Sequence, residues 1–168
     1  MGLEVGTVRL EEYSPKWAEL FEDEKDELKG LIGDHAKTIE HVGSTSVPGL
    51  KAKPIIDIAV GVDKLNEFSP EVFAGLDNYS IKQEPTPGEI LIRKGIEGRY
   101  TEFLIHIMEI DDARYKEALR FRDLLRNSPE LRNQYQALKE ELAGKFANNR
   151  KLYTKSKDAF IKSVLKSS

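Results

Sequence analysis

The run Ile55-Ile56-Asp57-Ile58-Ala59-Val60 constrains this chain more than any other stretch. It is apolar at almost every position, so a strand here has both faces buried, as in the interior of a parallel or mixed sheet. Asp57 is the exception, because a carboxylate in such a place is costly unless it is paired or bound to a metal. Alternation puts Ile55 and Ala59 on its side, so the strand itself offers no partner. Two explanations follow: an ion pair with a buried basic residue, or duty at a metal or phosphate site.

The segment just before it favours the second. His41-Val42-Gly43-Ser44-Thr45-Ser46-Val47-Pro48-Gly49-Leu50 reads as the end of one strand running into a small, hydroxyl-rich turn. Gly43, Ser44 and Thr45 at a strand end let a phosphate approach backbone N–H groups, and a single helical turn opened by Ser44 or Thr45 would aim those groups above Asp57. A carboxylate on the neighbouring strand suits a metal that accompanies the phosphate. Ser/Thr-rich turns with Pro and Gly are also ordinary connectors, so the turn gains its weight from Asp57.

At 168 residues, with 39% hydrophobic and 33% charged positions, the chain is expected to form one globular domain, 1–168. No apolar run reaches the roughly 20 residues a membrane helix needs. The N-terminus lacks a signal-peptide pattern and there are no cysteines, which excludes disulfides and thiol chemistry and makes the cytoplasm the expected location. Charge is unevenly distributed: residues 111–168 hold 14 Lys/Arg against 8 Asp/Glu, whereas the whole chain is −3. A basic tail suits an anionic ligand or a solvated helix, and the overall sign argues against general nucleic-acid binding.

Residues 8–13 alternate like a strand. Ser14 is then expected to cap a helix with Pro15 at its first position and apolar spacing running to Gly33. Strands are expected at 37–42, 54–62, 79–83, 90–94 and 100–110, with turn residues Pro85, Pro87, Gly88, Gly95 and Gly98 between the last three. A short helix is expected at 65–76, and further helices at 111–127, 128–148 and 150–166. Strands mixed with helices early, and helices gathered late, predict an α+β fold with a mixed sheet covered by helices.

Further candidates stand out by position. His106 interrupts the apolar strand 103–108, on the same face as Glu102 and Met108, while Glu109 lies opposite. His41 abuts the glycine turn. Either histidine can be a satisfied core residue, or orient a phosphate, transfer a proton or ligate a metal. Lys157 falls on the stripe of Tyr153, Phe160, Ile161 and Val164, Arg122 lies among Ala118, Leu119 and Leu125, and Arg150 precedes the last helix. Such long basic side chains either snorkel from an apolar face or reach inward to anionic groups.

Taken in order, residues 40–50, Lys53-Pro54-Ile55-Ile56-Asp57-Ile58, Phe121-Arg122-Asp123, and Arg150-Lys151-Leu152-Tyr153-Thr154 with Lys157, Phe160 and Ile161 resemble the GrpB family. The resemblance begins near Tyr13-Ser14-Pro15-Lys16-Trp17 and spans nearly the whole chain. That family is classed with the nucleotidyltransferase superfamily, and in some bacteria a similar domain is fused to dephospho-CoA kinase. The resemblance implies a nucleotidyltransferase-like mixed sheet, with Gly43-Ser44 as the phosphate-gripping signature, Asp57 as the first Mg²⁺ carboxylate and His106 on a characteristic strand. It departs from active nucleotidyltransferases two positions after Asp57, where Ala59 replaces a second acid. A further carboxylate would have to be Glu109 or Glu102.

Two functions are therefore expected. One is transfer of a nucleotidyl or phosphoryl group, with Mg²⁺ on Asp57 and Glu109, phosphates on Gly43, Ser44 and Thr45, neutralisation by Arg122, Arg150 or Lys157, and His41 or His106 moving a proton. The other is a module that binds a nucleotide or phosphorylated small molecule, or assists a partner, without reacting.

Overall fold

The computed structural model of the protein describes residues 1–82 and 86–167. The expected positions of Gln83 and Pro85 lie outside the described residues. Its sheet has six strands: β1 (Leu3–Glu4), β2 (Ala36–Val42), β3 (Ile56–Val62), β4 (Tyr79–Ile81), β5 (Ile90–Ile96) and β6 (Tyr100–Glu109). The order is β2-β3-β6-β5-β4, with β1 pairing the start of β6. Among the described residues only β3 and β6 run parallel; β1–β6, β2–β3, β5–β6 and β4–β5 are antiparallel. The mixed sheet flanked by helices, with a helical C-terminal region, is the architecture expected.

Helix α1 (Lys16–Ile32) covers one face. Its Trp17, Phe21, Leu28 and Ile32 join Ile56, Ile58, Val60, Phe103, Ile105 and Ile107 in the main core. Helix α2 (Ala113–Asn127) covers the other face, where Tyr115 packs with Val42, Ala59 and Met108. Small residues on β3 permit this approach. A Cβ on Gly61 would lie 2.6 Å from Thr38 Oγ1 and 3.2 Å from Tyr115 Cζ, and those two side chains share a 2.5 Å hydrogen bond.

Helices α3 (Pro129–Lys145) and α5 (Asp158–Ser167) pack beside α2, and α4 (Arg150–Ser156) packs against α3 and α5. Ser128 caps α3, its hydroxyl accepting from the Leu131 N–H, with Pro129 at the first position. Among the described residues, no helix is long and apolar enough to cross a membrane.

Four expectations are corrected, and one strand was not foreseen. Helix α1 begins at Lys16, with Pro15 rather than Ser14 at its cap and no capping side-chain hydrogen bond. Residues 8–13 form no strand: Val8 N–H bonds the Ala147 carbonyl and Glu11 makes an isolated bridge with Ala52, so this segment crosses the helices instead of joining the sheet. The short strand β1 carried no periodic signal. The 65–76 segment is two 3₁₀ turns, Leu65–Glu67 and Pro70–Phe73, because the residue before Pro70 is driven out of helical backbone. The last helix is broken at Lys157, since Tyr153 packs with Val8 and Leu142 while Phe160 and Ile161 pack with Leu125 and Tyr135. One straight helix serves both clusters poorly.

Candidate functional site

Asp57, Ala59 and His106 come together on the α2 face of the sheet. In the parallel β3–β6 register Asp57 sits opposite Leu104 and Ala59 opposite His106. They border a cavity of about 340 Å³ walled by Val42, Met108, Ala118, Phe121, Ile161 and Leu165. The Asp57 side chain is 32% exposed, so this acid is not sealed in the core, and its partner is a histidine rather than an arginine.

Gly43 follows the Val42–Asp57 pair and presses its backbone on that acid. It has φ +69°, and an ideal Cβ would stand 2.5 Å from Asp57 Oδ2. No other residue fits without moving the strand or the carboxylate. Beyond it Ser44–Ser46 forms a single 3₁₀ turn. Thr45 and Ser46 turn inward: Thr45 Oγ1 is 2.9 Å from His41 Nε2, and the Ser46 hydroxyl donates to the Gly43 carbonyl at 2.6 Å. Ser44 is half-buried at the surface side of the turn.

His106 lies between two acids. Nε2 is 3.4 Å from Asp57 Oδ1, and Nδ1 bonds Glu89 Oε1. Glu89 comes from the turn leading into β5, a residue that sequence reasoning missed because nothing local relates it to His106. Burial opposes a charge on His106, but hydrogen bonds to Asp57 and Glu89 outweigh it and raise its pKa to about 9. Burial would likewise raise Asp57; the His106 hydrogen bond, with the charges of His106, Lys53 and Lys157, holds it below the usual carboxylate range. The array at neutral pH is carboxylate, imidazolium, carboxylate.

The other nominated residues are dispersed. His41 pairs with Ile58 on the opposite face and stacks on Phe21 at 4.8 Å between ring centroids. Burial pushes its pKa down to about 4, so it stays neutral and serves the turn through Thr45. Arg122 binds Glu40 and Asp123, each at 2.8 Å, and donates to the His41 carbonyl, tying α2 to β2. Arg150 donates to the carbonyls of Leu3, Glu4 and Thr7, tying α4 to the N-terminal strand. Lys157 lies over the Tyr153 ring at 4.7 Å and is one of the cations acting on Asp57.

A resident Mg²⁺ does not fit this donor set. Ala59 supplies no oxygen. Glu109 projects to the α1 side, where Oε1 accepts from the Leu65 N–H at 3.0 Å, and Glu102 faces the N-terminal ammonium at 4.0 Å. Neither is brought to Asp57. Among the described residues, no group of three or more His, Asp or Glu is arranged to hold a metal. Where two acids do converge, the His106 ring stands between them.

A titration tests this electrostatic picture. Of the three histidines, His106 is expected to lose its NMR-detected proton near pH 9 and His41 near pH 4. Asp57→Asn should move the His106 midpoint toward 6.5. The raised folded-state pKa means that this histidine's contribution to stability is full below its unfolded value, near 6.5, and is lost as pH rises through 9. A His106 midpoint at or below 6.5 would dismiss the array.

The geometry can be set against known proteins. The sequence profile described as GrpB protein matches residues 7–167. At 33% identity the chain is similar to the glutamate-rich protein GrpB of Alkalihalophilus pseudofirmus, over 98% of each chain. It is 34% identical to the UPF0157 protein YqkA of Bacillus subtilis, over 90% of this chain but 44% of that one. The crystal structure of the conserved protein GrpB from Enterococcus faecalis matches with a TM-score of 0.83 at 34% identity, covering 95% of this chain and 96% of that chain. Matched along nearly its full length in both sequence and chain path, this chain belongs to the GrpB family.

Proposed function

We propose that the cavity between the sheet and helices α2 and α5 binds a phosphorylated small molecule, a nucleotide first among them. The observation that carries this reading is Asp57, an acid from the most buried strand, opening on an apolar-walled cavity with Gly43 beside it. Val42, Met108, Phe121 and Ile161 suit a flat apolar ring, and His106 offers an imidazolium that can donate a proton. A role in binding without group transfer is favoured by Ala59 and by the placement of Glu109 on the other face, because two-metal transfer needs bridging carboxylates. The second reading is nucleotidyl transfer, which would use the glycine turn lying against Asp57 to seat the reacting phosphate.

Calorimetry with a panel of nucleoside triphosphates, diphosphates and monophosphates, with and without Mg²⁺, tests the proposal. Binding is expected to persist without added Mg²⁺, and to weaken at least tenfold in a variant carrying Met108→Trp, which fills the cavity. Pyrophosphate release from a bound triphosphate would select the transferase reading. Absence of binding across the panel would reject both readings.

A further inference from the structure

We propose that a basic basin adjoining Asp57, formed by Lys53, Lys157 and Arg93 with Lys139 and Arg150 behind them, binds the multiply charged phosphate end of the ligand. This deepens the cavity reading above and rests on it. The basin draws on four separate parts of the chain. Lys53 lies in the segment leading into β3, Arg93 on β5, Lys139 on α3, and Arg150 and Lys157 bound α4. Across the sheet Arg93 pairs with Leu104 and Leu104 with Asp57, so the arginine and the acid share one row.

Among the described residues these five basic side chains lack carboxylate partners, while Asp57 acts on Lys53 and is acted on by Lys53 and Lys157. The Lys53 and Lys157 ammoniums both lie over the Tyr153 ring, at 5.4 and 4.7 Å. Lys139, 1% exposed, donates to the Lys51 carbonyl and lies over the Tyr135 ring at 5.0 Å; the nearby Glu140 is itself paired with Lys51. Arg150 is spent on backbone carbonyls. Arg93 Nε is buried and has no hydrogen-bond partner.

Such an arrangement is unfavourable when empty. Burial and the neighbouring cations push Lys53 down to about 8 and Lys139 down to about 6. An anion carrying several charges relieves that repulsion and satisfies the Arg93 donor. Phosphate oxygens suit both the planar guanidinium and the point-like ammoniums. A singly charged ligand would leave most of the repulsion in place. The metal role expected of Asp57 is here reversed: its charge opposes the incoming anion, and the lysines outweigh it.

The test is titration of the full-length chain with inorganic pyrophosphate and, separately, inorganic phosphate, in Mg²⁺-free buffer. Pyrophosphate is expected to bind at least tenfold more tightly than phosphate. The variant Lys53→Met/Lys157→Met should lose at least tenfold in pyrophosphate affinity without a lower melting temperature, since it removes mutually repelling charges. Lys157→Arg should retain binding. Asp57→Asn should leave pyrophosphate affinity unchanged or tighten it severalfold, the opposite of what a metal-bridged phosphate requires. Unaltered affinity in the double variant, or loss of affinity in Asp57→Asn, overturns the basin. Nucleotide binding that survives the double variant undiminished overturns the basin and leaves the cavity reading standing. Pyrophosphate binding that depends on the lysines, with no nucleotide bound, supports the basin and removes the cavity reading.

Discussion

Lys94→Met is expected to destabilise the protein by about 3–5 kcal/mol, the usual cost of stripping one partner from a buried ion pair. Lys94 Nζ lies 2.5 Å from Glu24 Oε2 and 2.7 Å from Glu27 Oε2. The two acids are not equivalent. The Glu24 side chain is 2% exposed, inside the apolar stripe by which α1 meets the sheet, whereas Glu27 is 49% exposed. Without Lys94, Glu24 keeps among the described residues only the Tyr79 hydroxyl, at 2.7 Å, as its donor. In a chain of this size the loss corresponds to a fall in melting temperature on the order of 10 °C. Glu24→Gln in the same variant should recover part of it by removing the stranded charge. Glu27→Ala should cost less than about 1 kcal/mol, because Glu27 is exposed and water can take its place beside Lys94. Thermal and urea unfolding measure all three, and a loss below about 1 kcal/mol for Lys94→Met would show that the pair is not needed for stability.

Gly43→Ala should cost on the order of 3 kcal/mol and displace Asp57. Two terms add. The backbone at φ +69°, ψ −173° is a region all but confined to glycine and disfavours any side chain by about 1–3 kcal/mol. The new Cβ also meets Asp57 Oδ2 at 2.5 Å and its Cβ and Cγ at 3.0 Å, an overlap of the kind that costs about 1–3 kcal/mol. The Asp57 backbone cannot retreat, because Ile56 and Ile58 on either side are fully buried in the main core, so the displacement falls on its side chain. A double-mutant cycle with Asp57→Ala isolates the second term: the penalty of Gly43→Ala should shrink by about 1–2 kcal/mol when the carboxylate is gone. Equal penalties in both backgrounds would mean that the turn alone demands glycine, independently of the acid.

Much of the fold was legible because its signals are local. The apolar run marked β3 as an interior strand, and it lies between β2 and β6. The helical spacing after Ser14 and the Ser128-Pro129 start gave α1 and α3, with α1 beginning at Lys16 and the Ser14 carbonyl accepting from Trp17 N–H. The errors fall where two parts of the chain compete. Val8 is held by Ala147, and the break at Lys157 reflects two separate clusters beneath α4 and α5.

The candidate site divides in the same way. Asp57 as an acid needing a reason, His106 on its apolar strand and the glycine turn were all visible in the residues themselves. Alternation showed which residues share a face within one strand. It did not show on which side of the sheet the cavity opens, and that placed His106 in the site while leaving His41 behind it, stacked on Phe21. Glu89, Arg93, Lys53 and Lys139 acquire their meaning only through strand register and helix packing, which bring together groups far apart in sequence. The amino-acid order alone determined the buried strand, its misplaced acid and the hydroxyl-rich bend, because propensity and periodicity act over a few residues. The tertiary structure decided what that acid faces: hydrogen bonds and electrostatic fields depend on distances through space, and those are set by how β3, β5, β6 and the last helices pack.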